Sequence, residues 1–390
     1  MGTADETAEI ENQAQNYHGQ AAYDKIQTAA AAVYIVTHDG ASADRVIELS
    51  GDKRCVLEIV RTCGGVLRTL CLGARGRKIS ALSGREKTMQ RTFAAAVAAA
   101  LFLSGSAFAQ TAPDYSQVEI KATDLGHKTY MLTGQGGNIT AAIGDDGIIL
   151  VDTQFALLHD KIKAALAALS PQPVKFVVNT HYHGDHTGGN EAFAKEGAAL
   201  VSHPNVAKRL TEGTTNALTG AKTAPAAPGG VPKQVYTSPS TVLIVKGRSA
   251  QVIHEKNAHT DGDSAVFFAD ANVLATGDIV SLGGRYPNID VAVNGNIKGI
   301  IAAVDSYLKL SNADTKIVPG HGPLLNKAQV QDYRDMLATA RDRVAKLIAE
   351  GKTEDEAVAA KAIQDLEQKA GANEQATTNF VRLVYRSLKA

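Results

Sequence analysis

Apolar and polar positions along this chain change their period repeatedly, and each change predicts a different kind of element. From Val118 onward, short β-rich runs at Lys128–Thr133, Asn138–Ile143 and Ile148–Val151 are separated by Gly134-Gln135-Gly136-Gly137 and Gly144-Asp145-Asp146-Gly147. Runs of this kind between turn residues predict consecutive antiparallel hairpins. Leu157, Leu158, Ile162, Ala165, Leu166 and Leu169 then recur at helical spacing until Ser170-Pro171 stops the helix. Val174–Asn179 is a continuous apolar run, expected to be a strand buried on both faces.

A helix is predicted from about Glu191 and a strand at Ala198–Ser202. Residues 213–235 have no period and are rich in Gly, Ala, Pro and Thr, which makes them a long surface loop or lid. Further strands follow at Thr241–Val245, Ala250–His254, Ala265–Ala269 and Asn272–Ala275, then a helix near Ile297–Leu310 and a strand at Lys316–Val318. The tail reads as a long amphipathic helix from Val330 to Ile348 closed by Gly351. A capping box at Thr353 and Glu356 and a last helix around Phe380–Leu388 complete it.

The first 88 residues show no sustained strand or helix period. A few short helices or a strand such as Val33 to Thr37 are the most they suggest. Next, Met89-Gln90-Arg91, the apolar run Phe93–Leu103 and Ala107-Phe108-Ala109 have the order of a secretory signal peptide. Eleven apolar residues are too few for a membrane span, which needs about 20. The expected organisation is therefore 1–88 outside the biological chain, a signal peptide at 89–109, a catalytic domain at 110–350 and a helical extension at 351–390. The mature chain is expected to begin at Gln110, to be periplasmic or secreted, and to carry no membrane anchor.

Composition narrows the partners. The 390 residues carry 40 basic and 40 acidic side chains, so nucleic acid is not expected and a small-molecule substrate is. The three cysteines, Cys55, Cys63 and Cys71, all lie near the start, so thiolate chemistry is absent from the later motifs.

Those motifs begin with His181-Tyr182-His183-Gly184-Asp185-His186, which follows the strand Val174–Asn179 and precedes Gly188-Gly189-Asn190. Four good metal-binding side chains in six residues can aim at neighbouring points only from a sharply turning loop. His181, His183 and His259 suit one ion with an open position; Asp185, His186 and His321 suit a second; Asp278 can bridge them. All donors are imidazole or carboxylate, which suits two Zn²⁺, with Fe or Mn also compatible. His127, His159, His203 and His254 are read as ordinary core or surface histidines.

In this order, the 181–186 run, Ala258-His259-Thr260-Asp261-Gly262-Asp263, Thr276-Gly277-Asp278 and Pro319-Gly320-His321-Gly322 resemble the metallo-β-lactamase superfamily from roughly Val118 to Glu350. The resemblance implies an α/β fold, the four-layer αβ/βα sandwich with two metals at one edge. It also implies that Asp152 steadies a ligand loop. A metal-bridging hydroxide attacking a carbonyl, with Asp185 orienting it, is the implied chemistry.

Within the superfamily, the 180–190 run and Asp278 are similar to glyoxalase II, a thioesterase. The setting of His259 and the signal peptide are closer to class B β-lactamases. One-cysteine β-lactamases carry a Cys where Asp278 stands and a substrate-binding Lys where Ser281 stands. The 285–290 run resembles secreted members associated with quinoprotein systems, in which Arg285 and Tyr286 line the pocket or simply pack the loop. The expected activity is β-lactam hydrolysis with ester or lactone hydrolysis beside it. A thioesterase and a periplasmic metal- or quinoprotein-accessory protein are the alternatives.

Overall fold

The computed structural model describes residues 114–390 and, before them, three strands, β1 (Arg45–Leu49), β2 (Cys55–Arg61) and β3 (Leu67–Leu72). These three pair antiparallel in that order, within a unit spanning Met1–Gln110 that is separate from Thr111–Ala390. The expectation of no strand period here is corrected. Adjacent apolar residues in β2, CVLEIVR, hide the alternation. Val33–Thr37 and residues 89–109 lie outside the described residues.

The second unit contains two sheets. In the first, β4 (Lys121–Gly126), β5 (Thr129–Thr133), β6 (Ile139–Ile143) and β7 (Ile148–Val151) form an antiparallel meander. β4 was not expected, because four of its six residues are exposed and its sequence is polar. Helix α1 (His159–Leu169) then carries the chain back, so β8 (Val174–Val178) pairs parallel with β7. β9 (Ala199–Ser202) adds parallel to β8. β8 departs from expectation: Val177 and Val178 are buried, but Val174, Lys175 and Phe176 are only half-buried.

Segment 213–235 is a loop that carries the two-residue strands β10 (Thr214–Thr215) and β11 (Lys222–Thr223), paired with each other, and β12 (Gln234–Val235), which joins β9. The second sheet runs β13 (Ser240–Val245), β14 (Arg248–His254), β15 (Ser264–Phe268), β16 (Val273–Ala275) and β17 (Lys316–Val318). Its last pair is parallel because a helix, α5 in chain order (Ile297–Leu310), makes the crossover. The shorter helices before it are α2 (Gly184–Thr187), α3 (Asn190–Lys195) and α4 (Pro204–Glu212).

Period-2 alternation in β7 shows how the layers form. Ile149 and Val151 face a core shared with Val252, Val266 and Phe268 of the other sheet, whereas Ile148 and Leu150 face Ile162 and Leu166 of α1. On the far side, Leu274 and Ile317 pack under Ile300, Val304 and Tyr307 of α5. Helices, sheet, sheet, helices is a four-layer α/β sandwich.

The C-terminal helices are α6 (Lys327–Ala349), α7 (Glu354–Ala359), α8 (Gln364–Ala370) and α9 (Glu374–Lys389). The capping box at Thr353 and Glu356 is present. Beyond residue 350, Ala357, Leu366, Phe380 and Val384 share one core with α5 and α6, so these helices pack into the sandwich.

Candidate metal centre

Loops at one edge of the two sheets converge. From the first sheet come Asp152 after β7 and residues 179–187 after β8. The second contributes His259 after β14, Asp278 after β16 and His321 after β17. Two donor groups result, His181, His183, His259 and Asp278 in one and Asp185, His186 and His321 in the other, with the donor atoms of each group within 4.8 Å of one another. His127, His159, His203 and His254 lie outside both groups. His159 pairs with Glu196, and His203 stacks on His254 with ring centroids 3.8 Å apart.

The hydrogen bonds behind the rings decide what faces the centre. His259 Nδ1 is 2.8 Å from the Asn288 carbonyl, which can only accept, so this nitrogen carries the proton. His183 Nε2 faces Asp290 Oδ2 at 3.2 Å, and His186 Nδ1 faces Asp152 Oδ2 at 2.8 Å. His181 Nδ1 lies 3.0 Å from Thr180 Oγ1, which itself donates to Asp152 Oδ2 at 2.7 Å. These outward contacts leave the other nitrogen of each ring, Nε2 of His181, His186 and His259 and Nδ1 of His183, facing the centre, where it can offer a lone pair to a cation. His183 Nδ1 and His259 Nε2 stand 3.0 Å apart, and His186 Nε2 and His321 Nε2 stand 3.4 Å apart. His181 Nε2 and Asp278 Oδ1 are buried without a hydrogen-bond partner. Converging lone pairs and orphaned buried acceptors fit a cation at each point.

The charges agree. Burial holds His181 well below its ordinary pKa and His259 down at about 4, so both are neutral donors. Burial also opposes charge on His186 and His321. The Asp278 and Asp152 carboxylates outweigh it at His186, and Asp185 and Asp278 raise His321 to about 9. Burial works to raise Asp185 as well, yet its bond to His321 brings it to about 2, an ionised carboxylate. The carboxylates therefore favour positive charge at this edge, while His181 and His259 stay neutral.

Backbone geometry keeps the parts close. Asp152 has φ 64°, a left-handed conformation that turns its carboxylate back to accept from Thr180 N at 2.8 Å as well as from Thr180 Oγ1 and His186. A Cβ on Gly137 would run into the His186 ring, and one on Gly320 into Asp278 Oδ1. The glycine-rich turn 134–137 thus backs the centre, where a side chain would not fit.

Three contributors escaped the sequence reading. Asp290 is 9% exposed and holds both His183 and the Tyr182 hydroxyl. Its placement between Ile289 and Val291 signals a buried carboxylate. Asn138 donates to the carbonyls of Pro319 and Gly322, tying the first sheet to the His321 loop. The Asn288 carbonyl has no signal in its side chain. Tyr286, expected to line the pocket or to pack, is buried with its ring stacked 4.4 Å from Phe380; the packing alternative describes it. Arg285 is exposed beside the Gly283-Gly284 turn.

A four-layer sandwich with an imidazole and carboxylate cluster at one edge is a metallohydrolase architecture. Residues 132–321 match the family model of the metallo-β-lactamase superfamily, whose members are metal-dependent hydrolases, and they form a domain of that superfamily. The stereoselective inverting sec-alkylsulfatase Pisa1 of Pseudomonas sp. shares the fold with a TM-score of 0.53 at 19% identity, over 68% of this chain and 50% of that one. A metallo-β-lactamase from Pontibacter korlensis matches with a TM-score of 0.45 at 19% identity, over 56% of this chain and 99% of that one. The alpha subunit of 2,4-dinitroanisole O-demethylase from Nocardioides sp. (strain JS1661) is 25% identical over 146 residues, 37% of this chain and 41% of that protein. The chain covers 50% of the alkylsulfatase and 41% of the demethylase subunit, less than two thirds of either.

Proposed function

We propose that the chain is a dinuclear metal-dependent hydrolase acting on a small carbonyl substrate, with β-lactam ring opening as the leading activity and ester or lactone hydrolysis beside it. The observation that carries this reading is the double orientation of Asp278. Its Oδ2 lies 3.8 Å from His259 Nε2 and 4.0 Å from His181 Nε2, while its Oδ1 lies 3.2 Å from His186 Nε2 and 3.5 Å from His321 Nε2. One carboxylate thus addresses both donor groups. Two divalent cations held there supply, when bound, a hydrolytic nucleophile at neutral pH and an electrophilic pull on the scissile group. The donor set favours Zn²⁺ and is compatible with Fe or Mn.

The chain's own residues do the rest. Asp185 has the most exposed side chain of the seven donors, at 28%, and its Oδ2 is fixed 3.1 Å from His321 Nε2. An ionised carboxylate so placed orients an incoming water by accepting a hydrogen bond from it. Asp152, Thr180, Asp290 and the Asn288 carbonyl hold the imidazoles in register.

Ser281, 2% exposed, offers no cation for a substrate carboxylate, which favours neutral esters and lactones as companions to the β-lactam. Asp278 at the bridging position favours a glyoxalase II-type thioester as the second reading. Metal analysis on the purified full chain is expected to return two equivalents. Turnover of a chromogenic cephalosporin, S-lactoylglutathione, an aryl ester and a secondary alkyl sulfate then ranks the substrates. Loss of every activity in Asp185→Ala is expected. Two bound metals with no turnover of any of the four substrates overturns the hydrolase in favour of a metal- or quinoprotein-accessory role.

The signal-like segment 89–109 supports export to the periplasm. N-terminal sequencing of the exported protein is expected to begin at Gln110, and a start upstream of it overturns this assignment.

A further inference from the structure

Behind the metal loop lies a cavity of about 260 Å³, bounded by the 213–235 segment. We propose that this cavity binds an uncharged aryl or short acyl substituent of the substrate, and so sets specificity through Leu210, Thr223 and Ala226 rather than through the metal donors. The proposal rests on the hydrolase reading and adds a substrate class to it.

Tyr182 and Gly184 line the cavity and flank His183 in the chain. The Tyr182 ring also touches the His183 ring, with centroids 4.5 Å apart. His183 and Asp185 have the two most exposed donor side chains, at 23% and 28%, so the centre is most open on either side of Gly184. A Cβ at Gly184 would meet nothing within 4 Å. Gly184 thus leaves open space between the two most exposed donors and itself lines the cavity, which places the cavity beside the open side of the centre.

The cavity walls are mainly Leu210, Ala224, Ala226, Ala227 and threonines. Only two lining residues are charged, and both charges are already matched. Arg209 pairs with Asp261, and Glu191 pairs with Lys195 at 3.0 Å. An ionised substituent would find no unpaired counter-charge and would lose its hydration, whereas an apolar one gains by leaving water.

The cover is built in. Ala226 N donates to Leu210 O at 2.7 Å, and Ala226 packs beside Tyr182, Val206 and Leu210. β10 pairs with β11 across the segment, and Arg386 Nη1 donates to the Ala217 carbonyl at 2.7 Å. This wall is a fixed part of the fold, so its shape discriminates between substituents.

The test uses 1-naphthol as an uncharged aryl probe, titrated calorimetrically into the metal-loaded full chain. Ala226→Phe fills the cavity from the loop side, and Thr223→Phe fills it from the exposed rim, where folding is least at risk. Both variants are expected to weaken naphthol binding about tenfold and to lower the kcat/KM ratio of a naphthyl to a methyl ester about tenfold. Unchanged naphthol binding in both variants, or an unchanged ester ratio, overturns the proposal. Naphthol binding that is lost in the variants of a protein that turns over no ester or lactam supports the aryl site and overturns the hydrolase reading alone.

Discussion

Asp290 Oδ2 sits 3.2 Å from His183 Nε2 and accepts the Tyr182 hydroxyl, so one buried carboxylate oxygen sets the tautomer of His183 and pins the residue before it. With its proton at Nε2, His183 has only Nδ1 to offer the centre. Asp290→Ala frees the ring to rotate and is expected to weaken metal binding about 10- to 100-fold. Tyr182→Phe leaves the carboxylate in place and should cost less. Competition against a chromophoric chelator reads both, and wild-type affinity in Asp290→Ala removes Asp290 from any role at the centre.

Asp152 is held in a left-handed backbone and accepts three hydrogen bonds, two from Thr180 and one from His186. Asp152→Ala loses all three and keeps an unfavourable φ. A hydrogen bond to a charged group contributes about 1.5–3 kcal/mol, so thermal melts of metal-free protein should show a large drop in Tm. Asn tolerates the left-handed region and keeps one acceptor, which predicts the order wild type, then Asp152→Asn, then Asp152→Ala. Equal melting of the alanine variant and wild type would show that the carboxylate does not hold the loop.

The strands and helices around the centre were legible because their periods are clean: Ile148–Val151, Ile297–Leu310 and Lys316–Val318 are found at the predicted residues. β4 was hidden because an edge strand with exposed residues carries no apolar alternation. The donor residues were legible for a different reason, since histidine and aspartate at loop positions stand out from their neighbours. Asp290 was not, because it acts through His183, 107 positions earlier in the chain, and no local spacing records that contact. Tyr286 shows the opposite limit. Its place beside Arg285 leaves pocket and packing open, and only the stack on Phe380 decides between them.

Phe380, 1% exposed, stacks on Tyr286 and shares its core with Tyr307 and Leu337, so α9 stabilises the loop that carries Asn288 and Asp290. Phe380→Ala is expected to cost about 3–5 kcal/mol in chemical denaturation. Metal affinity should fall with it, because the 285–290 loop loses its support. Full affinity in a destabilised Phe380→Ala protein would separate that loop from α9.

His203 provides a pH test away from the donor residues. Burial, and then the charge of the stacked His254, lowers its pKa to about 4, while an unfolded histidine titrates near 6.5. Between those values the unfolded chain binds a proton that the folded chain refuses. Its contribution is therefore fully present above pH 6.5 and is lost as pH falls through about 4. The Nδ1 of His203 also caps α4 by accepting from Asn205 N at 3.3 Å. His203→Asn keeps a good cap and removes the titrating ring. Denaturation free energies from pH 7 to pH 4 should fall less steeply in His203→Asn than in the wild type, and parallel curves would show that the stacked pair does not sense pH.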